Sequence, residues 1–154
     1  MNATDRKFIC FPSGIDVRTR DELDIVDLSV QLAARVSDSG VQQGIVHLFV
    51  AGSTAALTTI EYEPGVISDL KAAISRLAPG DLNYKHDATW GDGNGRSHVR
   101  AALLGPSLTV PIHDGNPVLG TWQQVVLVEL DTRPRSRTVH VTVSGMDGGG
   151  DPDR

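Results

Sequence analysis

The stretch Arg137-Thr-Val-His-Val-Thr-Val-Ser144 alternates valine with polar residues at every second position. Because successive side chains of a strand point to opposite faces of a sheet, Val139, Val141 and Val143 share one face. The threonines and the histidine share the other face. The pattern predicts a strand in a sheet that has one face against a core and one face toward water.

Further strand-like segments lie upstream of this stretch. Residues 44–50 are nearly all apolar and rich in types that favour strands, as expected of a central strand. Gly52-Ser53-Thr54 then leads into a second strand at 55–61. The other predicted strands are 108–112, 118–130 with a break at Gly120, and a hairpin of 7–11 and 15–17 turned by Pro12-Ser13-Gly14.

Two main helices are predicted between these strands. Thr19-Arg-Asp-Glu22 has the spacing of a capping box, and apolar residues then recur every three to four positions, which indicates a helix that runs to Ser39 and stops at Gly40. A second helix opens at Pro64 and ends before Pro79-Gly80, with a face formed by Val66, Leu70, Ile74 and Leu77. Both helices are expected on one side of the sheet, in an α+β fold.

Length and composition fit one folded domain. The chain has 154 residues, of which 40% are hydrophobic and 21% charged, close to the average for globular proteins. We assign residues 1–145 to this domain. Residues 146–154 are rich in glycine and aspartate and have nothing to bury, so a disordered tail is expected there.

Charge and hydropathy argue against several classes of function. The net charge of −5 makes a nucleic-acid partner unexpected, because that role needs clustered Lys and Arg. No apolar run approaches the roughly 20 residues that span a bilayer, and no signal peptide is visible, so no membrane partner is expected either. Cys10 is the single cysteine, which excludes an internal disulfide and suits a cytoplasmic protein.

A polar, glycine-rich segment at 81–97 carries the strongest candidates for chemistry, and we predict it to be a loop. His86 lies within this segment and His98 directly follows it, with Asp87, Asp92 and Asn94 between the two histidines. Imidazole nitrogens and carboxylate or amide oxygens in this order can converge on one metal ion or phosphate, or one histidine can transfer protons. The alternative is that both are ordinary loop histidines bonded to the backbone.

Other segments offer additional candidates with equally simple alternatives. Gly52, Ser53 and Thr54 are small enough to let a ligand approach backbone amides, or Gly52 merely makes a tight turn. Arg137 can pair with a carboxylate or a phosphate. Glu63 is expected to favour the start of the helix at 64. The block from Gly120 to Gln123 indicates either a bulge that aims a side chain into a site or a tryptophan packed in the core.

Five blocks of the sequence carry a resemblance to a known family, in register over residues 6–145. They are Gly52-Ser-Thr-Ala-Ala-Leu-Thr-Thr-Ile-Glu61, Tyr84-Lys-His86, Ser97-His-Val-Arg-Ala-Ala-Leu-Leu-Gly105, Gly120-Thr-Trp-Gln123 and Arg135-Ser-Arg137. Together they resemble the YjbQ family. The resemblance implies a β-sandwich of mostly antiparallel strands with two main helices, a homotrimer with clefts near its subunit interfaces, and a poorly defined biochemistry for which weak thiamine-phosphate synthase activity has been proposed.

The resemblance also implies a site, from which this chain departs at two positions. His86 and His98 match histidines of the family's site and Glu61 matches its acidic residue. Where the family usually has His-Thr-Thr or His-Thr-Ser this chain has Gly52-Ser53-Thr54, and Ile60 stands where an asparagine is usual. Either Glu61 or its neighbour Glu63 takes over ligation, as in a branch with Glu-Tyr-Glu-Pro, or activity is lost.

Two hypotheses of different classes follow. In the first, the chain has a thiamine-phosphate synthase-like activity in which a divalent metal, zinc or magnesium, is held by His86, His98 and Glu61. A small phosphorylated molecule then binds at Ser53, Thr54, Asn94, Gln123 and Arg137. In the second, the chain is a non-catalytic trimeric assembly or a small-molecule-binding regulatory module with a degenerate site.

Overall fold

The described part of the chain, residues 6–149 of this computed structural model, contains eight strands and four helices. In chain order they are β1 (Phe8–Arg18), β2 (Ile25–Asp27), α1 (Ser29–Ser39), β3 (Gln43–Val50), β4 (Ala55–Ile60), α2 (Pro64–Leu77), α3 (Lys85–Trp90), α4 (Gly95–Leu104), β5 (Ser107–His113), β6 (Asn116–Pro117), β7 (Gln124–Glu129) and β8 (Ser136–Met146). Within residues 6–149, no helix combines the length and the apolar character needed to cross a membrane.

The strands form two sheets in which every paired neighbour is antiparallel. The larger sheet has the order β1-β8-β3-β5-β6, and the smaller sheet has the order β2-β7-β4. The predicted class, an α+β fold of mostly antiparallel strands, is confirmed.

The main core lies between the two sheets and rests on the alternation in β8. Val139, Val141 and Val143 are at most 1% exposed and belong to the same apolar cluster as Val125 and Leu127 of β7. Residues 138 and 140, which alternate with these valines, are exposed as the pattern predicts. The valines therefore fix which face of the larger sheet is covered.

A second apolar cluster covers the other face of the smaller sheet. It contains Val126 and Val128 of β7, Ile74 of α2 and Ala101 of α4. Strand β7 is thus buried on both faces, which explains its unbroken run of apolar residues.

The helices are distributed differently from the expectation. Leu32 and Val36 of α1 pack in the cluster between the sheets, whereas α2 contributes Ile74 to the second cluster, so the two main helices do not share one side. Leu77, predicted on the buried face of α2, is 72% exposed. The carboxylate of Glu63 accepts hydrogen bonds from the N–H groups of Gly65 and Val66, as expected for the start of α2.

The hairpin predicted at 7–17 is wrong, because β1 is one continuous strand. It pairs with β8 along its whole length, from Phe8 opposite Met146 to Arg18 opposite Ser136. Pro12 is tolerated because β1 is the edge strand of its sheet and has a ladder partner on one side only.

The capping box predicted at 19–22 is also wrong, because α1 begins ten residues after Thr19, at Ser29. The side chains of the apparent box have tertiary partners instead. The Thr19 hydroxyl donates to Glu129, and the Glu22 carboxylate accepts from Arg96 and Arg100. The predicted end of the helix is confirmed, since Gly40 follows its last residue.

Three other segments differ from the sequence predictions. Residues 81–97 include α3 and the start of α4 instead of forming one loop. Residues 118–123 lie outside the strands, and Trp122 is 72% exposed, so it is not a core residue. Met146 ends β8, and Asp147 bonds to Lys7 through backbone and side chain, so the predicted tail cannot start at 146. The remainder of that predicted tail, 150–154, lies outside the described residues.

A buried ion pair joins the two sheets. Glu129 of β7 is fully buried, and Arg137 of β8 is 10% exposed. The guanidinium donates from Nη2 to Oε1 at 2.5 Å and from Nε to Oε2 at 2.9 Å. The same carboxylate accepts hydrogen bonds from the N–H groups of Leu130 and Asp131 and from the Thr19 hydroxyl. These donors meet the requirement that a buried carboxylate be paired and fully hydrogen-bonded.

We predict that Arg137→Ala destabilises the protein by about 3–5 kcal/mol, because the charge of Glu129 then stays buried without its partner. Urea unfolding followed by circular dichroism measures the change. Arg133→Ala is the matched control, since Arg133 is exposed and has no side-chain partner among residues 6–149, and its effect should stay within about 0.5 kcal/mol. Equal effects of the two substitutions would contradict the structural role of the pair.

Candidate functional site

The structure brings His86 and His98 together. His86 lies on α3 and His98 on α4, and their ring centroids are 4.5 Å apart with the rings tilted by 55°. The two histidines predicted to share one site are therefore neighbours in the fold.

Two more polar side chains of the same segment surround the Nε2 atom of His86. The Asp92 carboxylate lies 3.4 Å from Nε2. With its amide nitrogen turned toward these groups, Asn94 donates to Nε2 at 3.1 Å and to the Asp92 carboxylate. In that orientation the Asn94 amide bridges the His86 ring and the Asp92 carboxylate. His86 is thus held by side chains, and not by the backbone bonds of an ordinary loop histidine.

The mutual position of α3 and α4 depends on a close backbone approach. A Cβ atom at Gly95 would lie 2.5 Å from the Cβ of Tyr84, so only glycine fits at residue 95. Asp87 accepts a hydrogen bond of 2.7 Å from the Gly95 N–H. These contacts place the first turn of α4, and with it His98, next to α3.

Two arginines of α4 bind Glu22 in the segment before β2. Glu22 accepts from Arg96 at 2.7 Å and from Arg100 at 2.6 Å. Arg100 is buried and also donates from Nε to the carbonyl of Ala78. The hydrogen bond from Arg96 lowers the pKa of Glu22 and outweighs the opposite effect of burial.

A cavity of about 200 Å³ lies between the β3–β4 connection and α4. His98 forms one wall, so one member of the histidine pair borders this space. Ser53, one of the predicted ligand-binding residues, lies in the opposite wall. The complete lining is Gly52, Ser53, Ala55, His98, Ala101, Ala102 and Pro106.

Thr54 and Arg137 lie beneath the cavity instead of lining it. The Thr54 hydroxyl donates to Asp131 at 3.1 Å and accepts from Nη2 of Arg137 at 2.9 Å. Of the two partners considered for Arg137, the structure provides the carboxylate, that of Glu129. Burial of Thr54 therefore anchors the loop that carries Ser53.

Glu61 and Gln123 are not brought to the histidine pair. Glu61 lines a separate groove of about 340 Å³ together with Tyr62 and Trp122. Gln123 donates to the Thr59 hydroxyl and lines a groove of about 370 Å³ beside β4 and β5.

The predicted metal ligands do not assemble within the described chain. Over residues 6–149, no three His, Cys, Asp or Glu side chains converge so that they could hold a metal ion. The donor set of His86, His98 and Glu61 lacks its carboxylate, because Glu61 lies in the other groove. These residues therefore do not fit a three-ligand metal site in one protomer.

The sequence analysis missed the residues that hold the site in place. Glu129 gave a usable signal, because a lone glutamate inside the apolar run 125–130 needs a buried partner. Glu22 gave none, since its partners Arg96 and Arg100 lie 74 and 78 residues away in the chain.

The geometry defines a class of protein with two packed antiparallel sheets and a histidine pair beside a small cavity. A family profile described as "UPF0047 protein YjbQ-like" matches residues 13–146. The chain belongs to this family, and its resemblance to YjbQ proteins is thereby confirmed.

Relatives and solved structures agree with the assignment. The chain is 37% identical to a UPF0047 protein of Methanothermobacter thermautotrophicus over 135 residues, which cover 88% of this chain and 92% of the relative. It is 35% identical to the UPF0047 protein YjbQ of Escherichia coli O157:H7, covering 68% and 76% of the two chains. A YbjQ-like protein of unknown function from Sulfolobus solfataricus matches with a TM-score of 0.86 at 33% identity, covering 90% of this chain and 99% of the other.

We predict that Glu22→Gln destabilises the protein by about 1–3 kcal/mol at pH 7, because Arg96 and Arg100 lose a charged acceptor. A lowered pKa means that this stabilisation is present above the unfolded value of about 4.3 and is lost as the pH falls through the folded value. Urea unfolding between pH 7 and pH 3 should therefore show wild type and variant converging at acid pH.

Glu61→Gln is the control for this series, since Glu61 is exposed and has no side-chain partner among the described residues. Its stability should follow that of the wild type at every pH. A constant difference between Glu22→Gln and wild type from pH 7 to pH 3 would show that the ionisation of Glu22 is not the cause.

Proposed function

We propose that this protein binds a small phosphorylated molecule in the cavity between the β3–β4 connection and α4, where the histidine pair transfers a proton. One observation carries the proposal: His98 belongs both to the cavity wall and to the polar cluster around His86. A ligand in the cavity lies beside an imidazole whose neighbour is oriented by Asp92 and Asn94.

The chemistry of the residues supports proton transfer beside an anion. Imidazole gives and takes protons readily near neutral pH, and a second group that orients the ring is the usual arrangement for a general acid or base. The hydroxyl of Ser53 provides a donor on the opposite wall.

The reaction that we propose is of the thiamine-phosphate synthase type, with weak activity. The nitrogen of a thiazole phosphate attacks a pyrimidine methylene carbon, a C–N bond forms, and the C–O bond to pyrophosphate breaks. The leaving pyrophosphate carries away the electron pair, and a protonated histidine of the pair gives its proton to the departing oxygen, which neutralises part of the developing charge. Because residues 6–149 do not complete a metal site, we assign no step to zinc or magnesium.

A non-catalytic regulatory or assembly module is the second candidate. The observation that favours it is the composition of the site, in which Gly52 and Ile60 replace two residues with polar side chains that the family resemblance implies. Ile60 packs against the apolar cluster under α2, so it offers nothing to a ligand. In this case the histidine cluster only orders the segment between α3 and α4.

We also propose that the protein is a cytoplasmic homotrimer. The three Phe, two Trp and two Tyr residues all lie in the described region, and none of them is buried. Large aromatic side chains are enriched at protein interfaces, so their exposure supports self-association. The exposed ones are Phe8, Phe49, Tyr62, Trp90 and Trp122.

We predict that His86→Ala and His98→Ala each weaken binding of thiamine monophosphate at least tenfold and leave thermal unfolding within a few degrees of wild type. Isothermal titration calorimetry measures the affinity, and elemental analysis of the same samples tests for zinc or magnesium. His140→Ala is the control, because His140 is exposed on the outer face of β8 and far from α3 in the fold. Wild-type affinity in both variants would refute the proposed site.

The second candidate predicts a different result for the same proteins. Light scattering on wild type should give the mass of three chains. If the histidines serve assembly, then the His86→Ala/His98→Ala double variant should lose trimer or melt at a lower temperature while ligand binding is absent in wild type as well. A monomeric wild type over the micromolar range would refute the trimer.

A further inference from the structure

One nitrogen of the Arg137 guanidinium, Nη1, takes no part in the buried ion pair. Its Nε and Nη2 atoms donate to Glu129, and Nη2 also donates to Thr54. Within residues 6–149, no group accepts a hydrogen bond from Nη1. The side chain is nine-tenths buried, so Nη1 is a fixed donor and not part of a mobile surface arginine.

This free nitrogen faces Gly52, which lines the cavity. A Cβ atom at residue 52 would lie 3.1 Å from Nη1. The space beside Nη1 is therefore open because residue 52 has no side chain. Ser53 follows in the cavity wall, and neither its hydroxyl nor its N–H group has a hydrogen-bond partner among the described residues.

The ion pairs around Arg137 hold its guanidinium in place before an anion binds. Arg137 is paired with Glu129, and Arg135 with Asp131, so the network is balanced without any ligand. Balanced pairs hold a buried guanidinium in place before a ligand arrives, and a donor fixed in advance binds an anion without the cost of reorganisation. Glu129 and Thr54 together hold the guanidinium plane, which determines where Nη1 lies.

We infer that a terminal phosphate oxygen of the ligand occupies the space beside Gly52, where it accepts hydrogen bonds from Nη1 of Arg137 and from Ser53. The rest of the ligand then extends along the cavity toward His98. Glu129 is a positioning residue in this arrangement, because it acts through Arg137. The inference rests on the proposed function and narrows the five phosphate-binding residues predicted from the sequence to Ser53 and Arg137.

Inorganic phosphate is the probe that tests the receptor. Its binding to the full chain is titrated by NMR, following the backbone amides of residues 52 and 53 and the guanidinium signal of Arg137. Gly52→Ala places a methyl group in the space beside Nη1 and should weaken phosphate binding at least tenfold. Arg137→Lys is a second variant, because one ammonium group cannot hold Glu129 and a ligand in the same geometry.

Two further variants separate this inference from the proposed function. Ala102→Leu fills the cavity from an exposed position of α4, away from Gly52, and Ala72→Leu makes the same change at an exposed position of α2. Phosphate affinity should fall in Ala102→Leu and stay at the wild-type value in Ala72→Leu. Preserved amide spectra outside residues 51–54 show that each variant is folded.

The outcomes are distinct. A tenfold or larger loss in Gly52→Ala, with Ala72→Leu unchanged, supports the receptor. Wild-type affinity in Gly52→Ala together with lost binding in Ala102→Leu overturns the receptor and leaves the proposed cavity standing. No saturable shift of the 52 and 53 amides in wild type overturns both.

Discussion

The ion pair between Glu129 and Arg137 is the interaction on which the rest of the structure depends. It joins β7 of the smaller sheet to β8 of the larger one. A fully buried carboxylate is tolerated only with charged and hydrogen-bonding partners, so both sheets must meet in one register. The pair also fixes Thr19 before β2 and Thr54 before β4.

The geometry of the candidate site depends on this pair and on a second cluster, in which Glu22 binds Arg96 and Arg100. The connection at 51–54 is anchored from below by Thr54, while α4 is fixed by Glu22 through Arg96 and Arg100. The cavity lies where these two anchored segments face each other. Its walls are therefore positioned by residues that do not line it.

Membership in the YjbQ family accounts for the fold, and the departures from the family pattern have separate consequences. Ile60 adds apolar surface to the cluster beneath α2. Gly52 opens the space beside Nη1 of Arg137. In the receptor that we propose, glycine at position 52, where the family resemblance implies a histidine, leaves Nη1 of Arg137 accessible to an anion.

The sequence by itself determined the elements whose signals are local and repeated. The alternation of Val139, Val141 and Val143 specified β8 and its buried face, and the apolar run within 118–130 indicated the strand β7. Family resemblance placed His86 and His98 in one site. The tertiary structure decided the rest. Thr19 and Glu22 have the spacing of a helix cap, yet they form tertiary hydrogen bonds. The Thr19 hydroxyl binds Glu129, and the Glu22 carboxylate binds Arg96 and Arg100. Those partners are more than 70 residues distant, and a buried charge-assisted hydrogen bond is stronger than a local cap, so only the folded chain could settle where these side chains go.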